Sequence, residues 1–483
     1  MLQRTNLIWL LGAMLLVRII AMVVVPFADT TEPRYAEIAR LMMTTNDWVT
    51  PWLEPGVPFW GKPPLSFWAQ AISFKLFGIN EFAGRLPALL AFIATAWMLW
   101  RLAVSVVNSQ VAAASLVVYS SMVLTFLAAG KVMTDPYLVL GTTWAMVAFY
   151  LAPKENVWYW RYGFFIGLGI GLLATGPSAL VISVAPIGLW VLLQGKLMFY
   201  LRAMPCIRGA LLTLVIALPW YILAELKTPG FINYFIVGEH FMRFIDPGWM
   251  GDLYGHAHKE PKGMIWLYWL VGSLPWGPLA LILLVGHLFK ASWRQTVWQS
   301  VKQPAVIYVL LWAIVAPVFF TPAGNVMWIY ALPSMPAFAL LMGWAMVKLN
   351  NGQRWRQIGF TLVMWFTPVA ALVFSVLIAN NNDLMKTEKR IAHYVAEQPK
   401  NGGHDNWSRL YYLSSKLEPS ARFYSHDKAK TVQLDQLENL AIQQQGVFVA
   451  IPTDRWETTA AHFGARLQPR IENMRFKLAF LKP

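Results

Sequence analysis

Two short polar segments interrupt an otherwise apolar chain, and both carry residues suited to acid–base chemistry. The first, Asp29-Thr-Thr-Glu32-Pro-Arg34-Tyr35, holds two carboxylates and a guanidinium close together. The apolar run before it ends at Phe27, so Asp29 should emerge just outside the hydrocarbon of a membrane. A carboxylate at such a boundary can serve as a general base, while nearby cations neutralise an anionic group. The segment therefore predicts chemistry at a membrane surface.

The second polar segment, Trp60-Gly-Lys62-Pro-Pro64, centres on a lysine. Two prolines stiffen the turn, so the ammonium of Lys62 loses less freedom when it meets a phosphate. Two interpretations stay open: Lys62 is a phosphate ligand, or it anchors the loop at the membrane interface.

A third connection, Gly130-Lys131-Val-Met-Thr134-Asp135-Pro136, places an acid at the head of a helix. A helix cap explains such an acid as well as a functional role does. By the count of apolar helices, however, Asp135 shares a membrane face with Asp29. We therefore expect the two carboxylates to converge with Lys62 and Lys131.

Another long outer loop, residues 226–264, adds cations. His240 and Arg243 follow Glu239 and are three residues apart, so they would share a helix face and form a donor pair for a phosphate or sugar.

The same loop contains His256-Ala-His258-Lys-Glu260. In an extended segment these alternating side chains would share one face, which makes a divalent metal ion the one candidate cofactor. Neither the spacing nor the number of histidines is diagnostic of a particular metal site.

Apolar helices must position these residues. The chain has 483 residues, of which 57% are hydrophobic and 13% charged, and its mean hydropathy is +0.47, which indicates a polytopic membrane protein. We expect a mostly α fold, a membrane bundle of about eleven transmembrane helices with amphipathic outer-loop helices. Arg18, inside the first span, should face the bundle interior. The spans lie near residues 6–27, 82–103, 109–130, 136–152, 162–175, 178–195, 207–225, 265–289, 304–321, 327–347 and 357–379.

Loop charges predict the orientation. If the N-terminus is cytoplasmic, the loops on that side hold thirteen basic residues and one acid, Glu155. Basic residues near helix ends keep loops in the cytoplasm. This asymmetry accounts for most of the net charge of +15, so the charge indicates no nucleic-acid partner.

The composition changes at Asn380, after which no further membrane-length apolar run occurs. We predict a transmembrane domain at 1–379 and a small soluble α/β domain at 380–483 on the outer side. Helices are expected at 384–398 and 433–444, and strands at 409–413, 421–424, 447–451 and 475–481.

The order of these motifs resembles one family of membrane enzymes. The chain is similar to glycosyltransferases of the GT-C type, in the group that contains bacterial aminoarabinose-to-lipid A transferases and protein O-mannosyltransferases. The resemblance extends over the membrane region. It rests on Glu32-Pro-Arg34-Tyr35-Ala-Glu37, Gly61-Lys62-Pro-Pro64, Thr134-Asp135-Pro136, Gly176-Pro177 and Glu239-His240 with Arg243.

The resemblance implies a multi-pass enzyme of the bacterial inner membrane, surrounded by membrane lipids, with its active site and C-terminal domain in the periplasm. Such an enzyme takes a sugar, here 4-amino-4-deoxy-L-arabinose or a related one, from an undecaprenyl or other polyprenyl phosphate. It inverts the anomeric centre and delivers the sugar to an envelope glycolipid, with lipid A the expected acceptor.

The resemblance also implies roles for individual residues. Asp29 is the leading base, Asp135 a second acidic contributor, and Glu32 the alternative base. The expected substrate contacts are phosphate ligands at Arg34, Lys62 and Arg243 and pocket-lining residues at Tyr35 and His240.

The chain departs from the family pattern in three ways. The family commonly has its first-loop acid at the position of Thr31, so either Asp29 or Glu32 must take that role here. Gly61 stands where many relatives carry an acid. Thr175 and the segment 324–327 lie where lysine is frequent, so the phosphate contacts are expected to differ.

Two alternative functions stay open. The same donor could serve a protein, O-antigen or other polysaccharide acceptor. A lipid or solute transporter is the alternative of another class, although transporters concentrate ionisable groups near the bilayer midplane on broken helices. The identity of the sugar is not decided by the sequence.

Overall fold

The computed structural model describes residues 4–246, 248–255, 258–288, 299, 302–349, 354–399 and 406–483. The chain is mostly helical and carries a small mixed sheet near its C-terminus, as predicted. Each of the eleven predicted spans coincides with one or two helical segments. These are Arg4–Val24, Glu81–Val106, Ser109–Ser121, Val123–Ala128, Asp135–Glu155, Trp158–Thr175, Ser178–Leu193, Cys206–Lys227, Met264–Gly272, Trp276–Leu288, Pro304–Phe320, the 3-10 turn Trp328–Ser334, Met335–Leu349 and Arg354–Asn380.

Not every one of these segments is a full-length span. Within the described ranges, four helices are long and apolar enough to cross a membrane, and a bent pair makes a fifth if it counts as one span. That pair, Met264–Gly272 and Trp276–Gly286, bends by 105° around Pro275. The four are Glu81–Val106, Cys206–Lys227, Trp328–Leu349 and Ile358–Asn380, and the shorter apolar helices are Ile8–Val24, Ser178–Leu193 and Pro304–Phe320.

The outer face of the bundle is apolar, as a lipid-facing surface must be. On the helix Cys206–Lys227, the side chains of Ile207, Val215 and Leu226 are 81%, 68% and 73% exposed. A water-soluble helix would turn such residues inward, so this exposure indicates a lipid environment.

Arg18 faces the protein interior, as the sequence predicts. Its guanidinium donates to the carbonyl oxygen of Leu127 at 2.9 Å and lies 5.5 Å from the ring centroid of Phe126. A neighbouring helix therefore supplies the polar partner that lipid cannot.

Glycines let the two helices behind the candidate site approach closely. A Cβ atom at Gly141 would lie 2.7 Å from the backbone nitrogen of Gly171 and 2.8 Å from the carbonyl oxygen of Gly167. Only glycine allows the helices Asp135–Glu155 and Trp158–Thr175 to pack backbone to backbone. This contact sets the position of Asp135 relative to Thr175.

The first outer segment forms a helix at Thr31–Thr45, followed by a small hairpin and the helix Leu65–Phe77. The hairpin pairs strands β1, Trp52–Glu54, and β2, Val57–Pro58. The helix Thr31–Thr45 lies in the first outer segment, where an amphipathic outer-loop helix is expected, but ten of its fifteen residues are buried. The helices Leu65–Phe77 and Pro419–Tyr424 pack against it, so it is enclosed by protein and does not form the surface helix that its sequence suggests.

The C-terminal unit is a five-stranded sheet with helices. Its strands are β3, Leu410–Tyr412, β4, Lys430–Thr431, β5, Val447–Pro452, β6, Leu467–Glu472, and β7, Phe476–Leu481. The order is β4-β3-β5-β7-β6, with β3 parallel to β4 and β5 and the other pairs antiparallel. Its helices are Lys389–Glu397, Pro419–Tyr424, Leu434–Gln443 and Trp456–Phe463.

One predicted strand is wrong and two strands were not predicted. Residues 421–424 belong to the helix Pro419–Tyr424, in which Pro419 occupies the first turn that suits proline. The edge strand Leu467–Glu472 contains Pro469 and is largely exposed, so it lacks the apolar pattern of a central strand. The strand Lys430–Thr431 is too short to leave a pattern.

Candidate active site

A cavity of about 200 Å3, here called the polar cavity, opens where several helix ends meet. It lies between the start of the helix Asp135–Glu155 and the end of the helix Trp158–Thr175. Aromatic side chains, among them Phe244, Phe319 and Phe320, cover part of its wall. The ionisable side chains that line it are Lys62, Asp135, Glu239, His240, Arg243 and Tyr330.

Asp135 and Lys62 both line the polar cavity without pairing with each other. Within the part of the chain that the structure describes, neither has an oppositely charged side chain within 4 Å. The Thr134 hydroxyl donates to Asp135 at 3.5 Å. Both charges are therefore available to a ligand in the cavity.

The turn that carries Lys62 is held from both sides. The Trp60 backbone N–H donates to the Tyr254 hydroxyl at 3.0 Å, and the Trp60 indole donates to the Thr228 hydroxyl at 3.0 Å. At Gly61 an added Cβ atom would lie 2.9 Å from the Phe59 ring. The Phe59 ring therefore leaves little room for a side chain at this position.

Arg243 enters the polar cavity from the outer loop with its charge partly neutralised. Its guanidinium lies 2.9 Å from Glu239 and 3.5 Å from Asp252. The Tyr234 hydroxyl also donates to Glu239, at 3.0 Å. The arginine is held in place by these acids while it faces the cavity.

His240 holds the wall of the cavity together. Its Nδ1 lies 2.8 Å from the carbonyl oxygen of Phe235, and its Nε2 lies 2.9 Å from that of Thr175. Gly176 follows with φ of +87°, and a Cβ atom there would lie 3.1 Å from the His240 ring. Both ring nitrogens are engaged with backbone oxygens, so the geometry favours a positioning role for His240.

Among the described residues of the cavity wall, three polar atoms are buried without a hydrogen-bond partner: Thr175 Oγ1, Asn325 Nδ2 and Arg243 Nε. Buried polar groups are normally paired, because an unpaired one costs about 1–3 kcal/mol. A polar ligand in the cavity would satisfy them. Sequence reasoning noted Thr175 and the segment 324–327 only as departures from a family pattern and gave neither a role.

Tyr35 and Arg34 lie beside the cavity and are not among its lining residues. The Arg34 guanidinium donates to the carbonyl oxygen of Tyr254 at 2.7 Å and lies 5.6 Å from the Tyr35 ring centroid. Burial, together with the Asp135 and Glu239 carboxylates, raises the pKa of Tyr35 to about 12, so its phenol stays protonated at neutral pH.

Asp29 does not reach the polar cavity. Its carboxylate is 2% exposed and pairs with Arg475 at 2.6 Å, while the Ser420 backbone N–H donates to it at 2.8 Å. The expected convergence of Asp29 with Asp135 is therefore not found. The reason is that the C-terminal unit supplies partners that the sequence of the outer loop does not reveal.

Glu32 is also removed from the cavity. It is buried against Arg85 at 2.9 Å and accepts the Val132 backbone N–H at 3.1 Å. Burial alone would raise the pKa of Glu32, but the Arg85 guanidinium outweighs that effect and lowers the pKa below its usual value. A carboxylate held ionised by a buried partner is a poor proton acceptor, so this geometry does not favour Glu32 as the base.

The proposed metal ligands do not form a cluster in the described residues. His256 lies outside them. The backbone N–H of His258 donates to the Asn325 side chain at 3.1 Å, and Glu260 accepts the Tyr268 hydroxyl at 2.7 Å. No group of three or more His, Cys, Asp or Glu side chains that could hold a metal ion occurs among the residues that the structure describes.

Comparison with known proteins finds one matching family model and several related sequences. The family model for dolichyl-phosphate-mannose-protein mannosyltransferase matches residues 5–235. An undecaprenyl phosphate-alpha-4-amino-4-deoxy-L-arabinose arabinosyl transferase of Yersinia pestis is 30% identical over 367 residues, which are 72% of this chain and 60% of the relative. That of Aeromonas hydrophila is 31% identical over 364 residues, 73% of this chain and 62% of the relative. The match thus covers about three fifths of these relatives.

Solved structures agree on the fold. The crystal structure of ArnT from Cupriavidus metallidurans bound to undecaprenyl phosphate has a TM-score of 0.74 at 17% identity and covers 98% of this chain and 97% of that one. The oligosaccharyltransferase of Archaeoglobus fulgidus in its apo form has a TM-score of 0.50 at 11% identity and covers 94% of this chain and 71% of that one. The chain is thus similar in sequence to the aminoarabinose transferases and, over residues 5–235, to the protein mannosyltransferase family, and it shares the fold of ArnT.

Proposed function

We propose that the protein is an inverting glycosyltransferase that moves 4-amino-4-deoxy-L-arabinose or a related sugar from a polyprenyl phosphate to an envelope glycolipid, with lipid A as the acceptor. The observation that carries the proposal is the polar cavity, where Asp135 and Lys62 meet without pairing. The names of the sequence relatives supply the carrier and the sugar.

The residues of the cavity suit the chemistry of the transfer. The acceptor oxygen attacks C1 of the sugar, the bond from C1 to the phosphate oxygen breaks, and the phosphate leaves with the electron pair. Asp135 accepts the proton of the acceptor or orients it. Lys62 and Arg243 neutralise the charge that develops on the leaving phosphate. The aromatic wall at Phe319 and Phe320 offers an apolar surface for the first isoprene units.

Asp29 and Glu32 have no reacting role in this proposal, because both are buried in ion pairs away from the cavity. Arg34 and Tyr35 border the cavity, where they complete the binding site for the sugar or phosphate. His240 orients the cavity wall through its two backbone contacts.

The site is proposed to lie on the periplasmic side of the bacterial inner membrane, together with the C-terminal unit. Asp135 and Glu155 stand at opposite ends of one 21-residue helix. At 1.5 Å per residue, such a helix spans about 30 Å, the thickness of the hydrocarbon core. Glu155 pairs with Arg101 at 3.2 Å, at the end that carries the basic loops. Because basic loops stay in the cytoplasm, the cavity opens on the other side.

The test uses the purified full chain with undecaprenyl phosphate-aminoarabinose and lipid A. We expect mass spectrometry to detect lipid A increased by one aminoarabinose unit, together with free undecaprenyl phosphate. An Asp135→Asn variant purified in parallel should lose this product. A wild-type protein that transfers nothing to lipid A would overturn the acceptor proposal.

A protein acceptor is the second candidate, because the mannosyltransferase family model matches the N-terminal half. The same donor should then be consumed in the presence of a periplasmic protein extract and yield glycosylated protein. Donor consumption with protein and none with lipid A would favour this candidate.

A further inference from the structure

The C-terminal unit contributes no side chain to the polar cavity among the lining residues that the structure describes. It is nevertheless joined to the outer segment before the helix Thr31–Thr45 by buried polar contacts. These contacts lead, residue by residue, from the C-terminal unit to the peptide just before Asp135.

The first contact is made by Asp29. Arg475 pairs with it at 2.6 Å, and both the backbone N–H and the hydroxyl of Ser420 donate to it. Arg475 also pairs with Glu388 at 2.7 Å, so the same guanidinium ties Asp29 to the body of the C-terminal unit.

The second contact is made by Tyr424. Its hydroxyl accepts the Phe27 backbone N–H at 2.8 Å and donates to the Glu81 carboxylate at 2.8 Å. Phe27 is fully buried and packs against the ring of Phe423 with centroids 5.1 Å apart. Tyr424 therefore fixes the chain two residues before Asp29.

The contacts continue from Phe27 to Glu32 through Arg85. The Arg85 guanidinium lies 4.8 Å from the Phe27 ring centroid and donates to the carbonyl oxygens of Met22 and Pro26. It also pairs with Glu32 at 2.9 Å. Arg85 thereby sets the position of Glu32 relative to the end of the first helix.

Glu32 makes the last contact. Its carboxylate accepts the Val132 backbone N–H at 3.1 Å, three residues before Asp135. The segment that precedes Asp135 is thus held by a side chain whose own position depends on the C-terminal unit.

We propose that the C-terminal unit positions the reacting carboxylate: through Asp29 and Tyr424 it holds the outer segment whose Glu32 orients the peptide that leads into Asp135. The inference rests on the proposed function. Asp29, Glu32 and Tyr424 act here as positioning residues. Misplacing a reacting group by about 1 Å can cost about 100-fold in rate, so loose positioning should lower kcat.

The first test compares Tyr424→Phe with Tyr411→Phe in the full chain. Tyr411 is a matched control, because it is a buried tyrosine of the same unit whose hydroxyl accepts a hydrogen bond from Gln444 within that unit. We expect Tyr424→Phe to lower kcat about tenfold with an unchanged KM for the donor. Tyr411→Phe should leave both constants unchanged.

The second test combines Asp29→Asn and Glu32→Gln. Each variant keeps a side-chain oxygen, so this test remains available if Tyr424→Phe fails to fold. If Asp29 and Glu32 act through the same series of contacts, the loss of kcat in the double variant should differ from the product of the two single losses. Two independent structural effects should multiply. Multiplying effects on kcat would overturn the proposal.

A third measurement does not depend on transfer. Hydrogen exchange at the Val132 amide should be faster in Tyr424→Phe and in Asp29→Asn than in wild type or Tyr411→Phe. Unchanged exchange with unchanged kcat would refute positioning and leave the proposed function intact. A wild-type protein that lacks transferase activity but shows faster Val132 exchange in the variants would refute the function and support the structural coupling.

Discussion

Charged side chains at the contact with the C-terminal unit and in the polar cavity form two groups, and Asp29 of the first differs from Asp135 and Lys62 of the second in pairing. In the contact with the C-terminal unit, Asp29 is buried and bound by Arg475 and Ser420. In the polar cavity, Asp135 and Lys62 have no oppositely charged side chain within 4 Å among the described residues. Pairing therefore distinguishes Asp29, whose charge stabilises the fold, from Asp135 and Lys62, whose charges remain available to a ligand.

The physical reason lies in desolvation. A buried charge costs several kcal/mol unless a partner offsets the loss of water. At the contact with the C-terminal unit, Arg475 and Ser420 offset the desolvation of Asp29. In the polar cavity, a bound substrate supplies the partner that the protein does not. Ionisable groups without a partner in the protein therefore mark functional sites.

The largest effect is expected for Asp135→Asn. If Asp135 accepts or orients the acceptor proton, its loss should reduce kcat by about 10²–10⁴-fold, the usual range for a general base. Because Asp135 stabilises no ion pair, thermal unfolding of the variant should match wild type. Single-turnover transfer followed by mass spectrometry measures the first quantity.

Asp454→Asn, an exposed acid of the C-terminal unit, is the control for that variant. Retention of most activity in Asp135→Asn would assign the base elsewhere and remove the contrast between the two groups.

The next effect concerns Glu32→Ala. Removing this carboxylate leaves the Arg85 guanidinium buried without its acidic partner, which should destabilise the fold by about 3–5 kcal/mol. Denaturation of the purified variant in detergent measures the change, with Glu32→Gln as the milder comparison. A Glu32→Ala variant of wild-type stability would mean that the pair with Arg85 does not stabilise the fold.

The sequence predicts the helical bundle and part of the site, and the reason it misses the rest is specific. Asp135 and Lys62 belong to the first two connections on one side of the predicted spans, so counting the spans was enough to predict that they share a membrane face. Asp29 looks the same in sequence, but Ser420 and Arg475, which bind it, lie about 400 residues away. No local pattern encodes a partner that only the tertiary fold brings near.

A similar argument explains the helix Thr31–Thr45. Tyr35, Ile38 and Met42 recur at helical spacing among polar residues, a pattern typical of an amphipathic surface helix, and the segment does form a helix. Glu37 and Arg40 pair with each other at 2.7 Å, which allows the polar side of the helix to be buried as well. Burial of that side depends on the helices Leu65–Phe77 and Pro419–Tyr424.

Replacing Lys62 should have a smaller effect than replacing Asp135. A hydrogen bond to a charged group contributes about 1.5–3 kcal/mol, so Lys62→Gln should raise KM for the donor by about 10–100-fold. Lys62→Arg keeps the charge and should recover part of the loss. Steady-state kinetics at varied donor concentration make the measurement. An unchanged KM in Lys62→Gln would make this lysine a loop anchor.

The smallest effect is expected in the pH dependence of stability, through Glu388 at the contact with the C-terminal unit. Burial raises the pKa of Glu388 to about 7, with the Asp29 carboxylate adding to the rise and Arg475 opposing it. The pKa in the folded protein is therefore above the ordinary 4.5, and the folded state holds an extra proton between pH 4.5 and 7. The stabilisation of the folded state by this extra proton is complete below pH 4.5 and is lost as the pH rises through 7.

Comparison with Glu388→Gln isolates this contribution, because the variant cannot titrate there while other groups cancel in the difference. Between pH 6 and 7, wild type should lose at most about 1.4 kcal/mol relative to Glu388→Gln, the value for one proton over one pH unit. Glu438→Gln is the control, since Glu438 forms an exposed pair with Arg466. Parallel unfolding curves for wild type and Glu388→Gln would mean that Arg475 keeps Glu388 ionised throughout. The contact with the C-terminal unit would then be insensitive to pH, and its charges would be as fully compensated as those of Glu32 and Arg85.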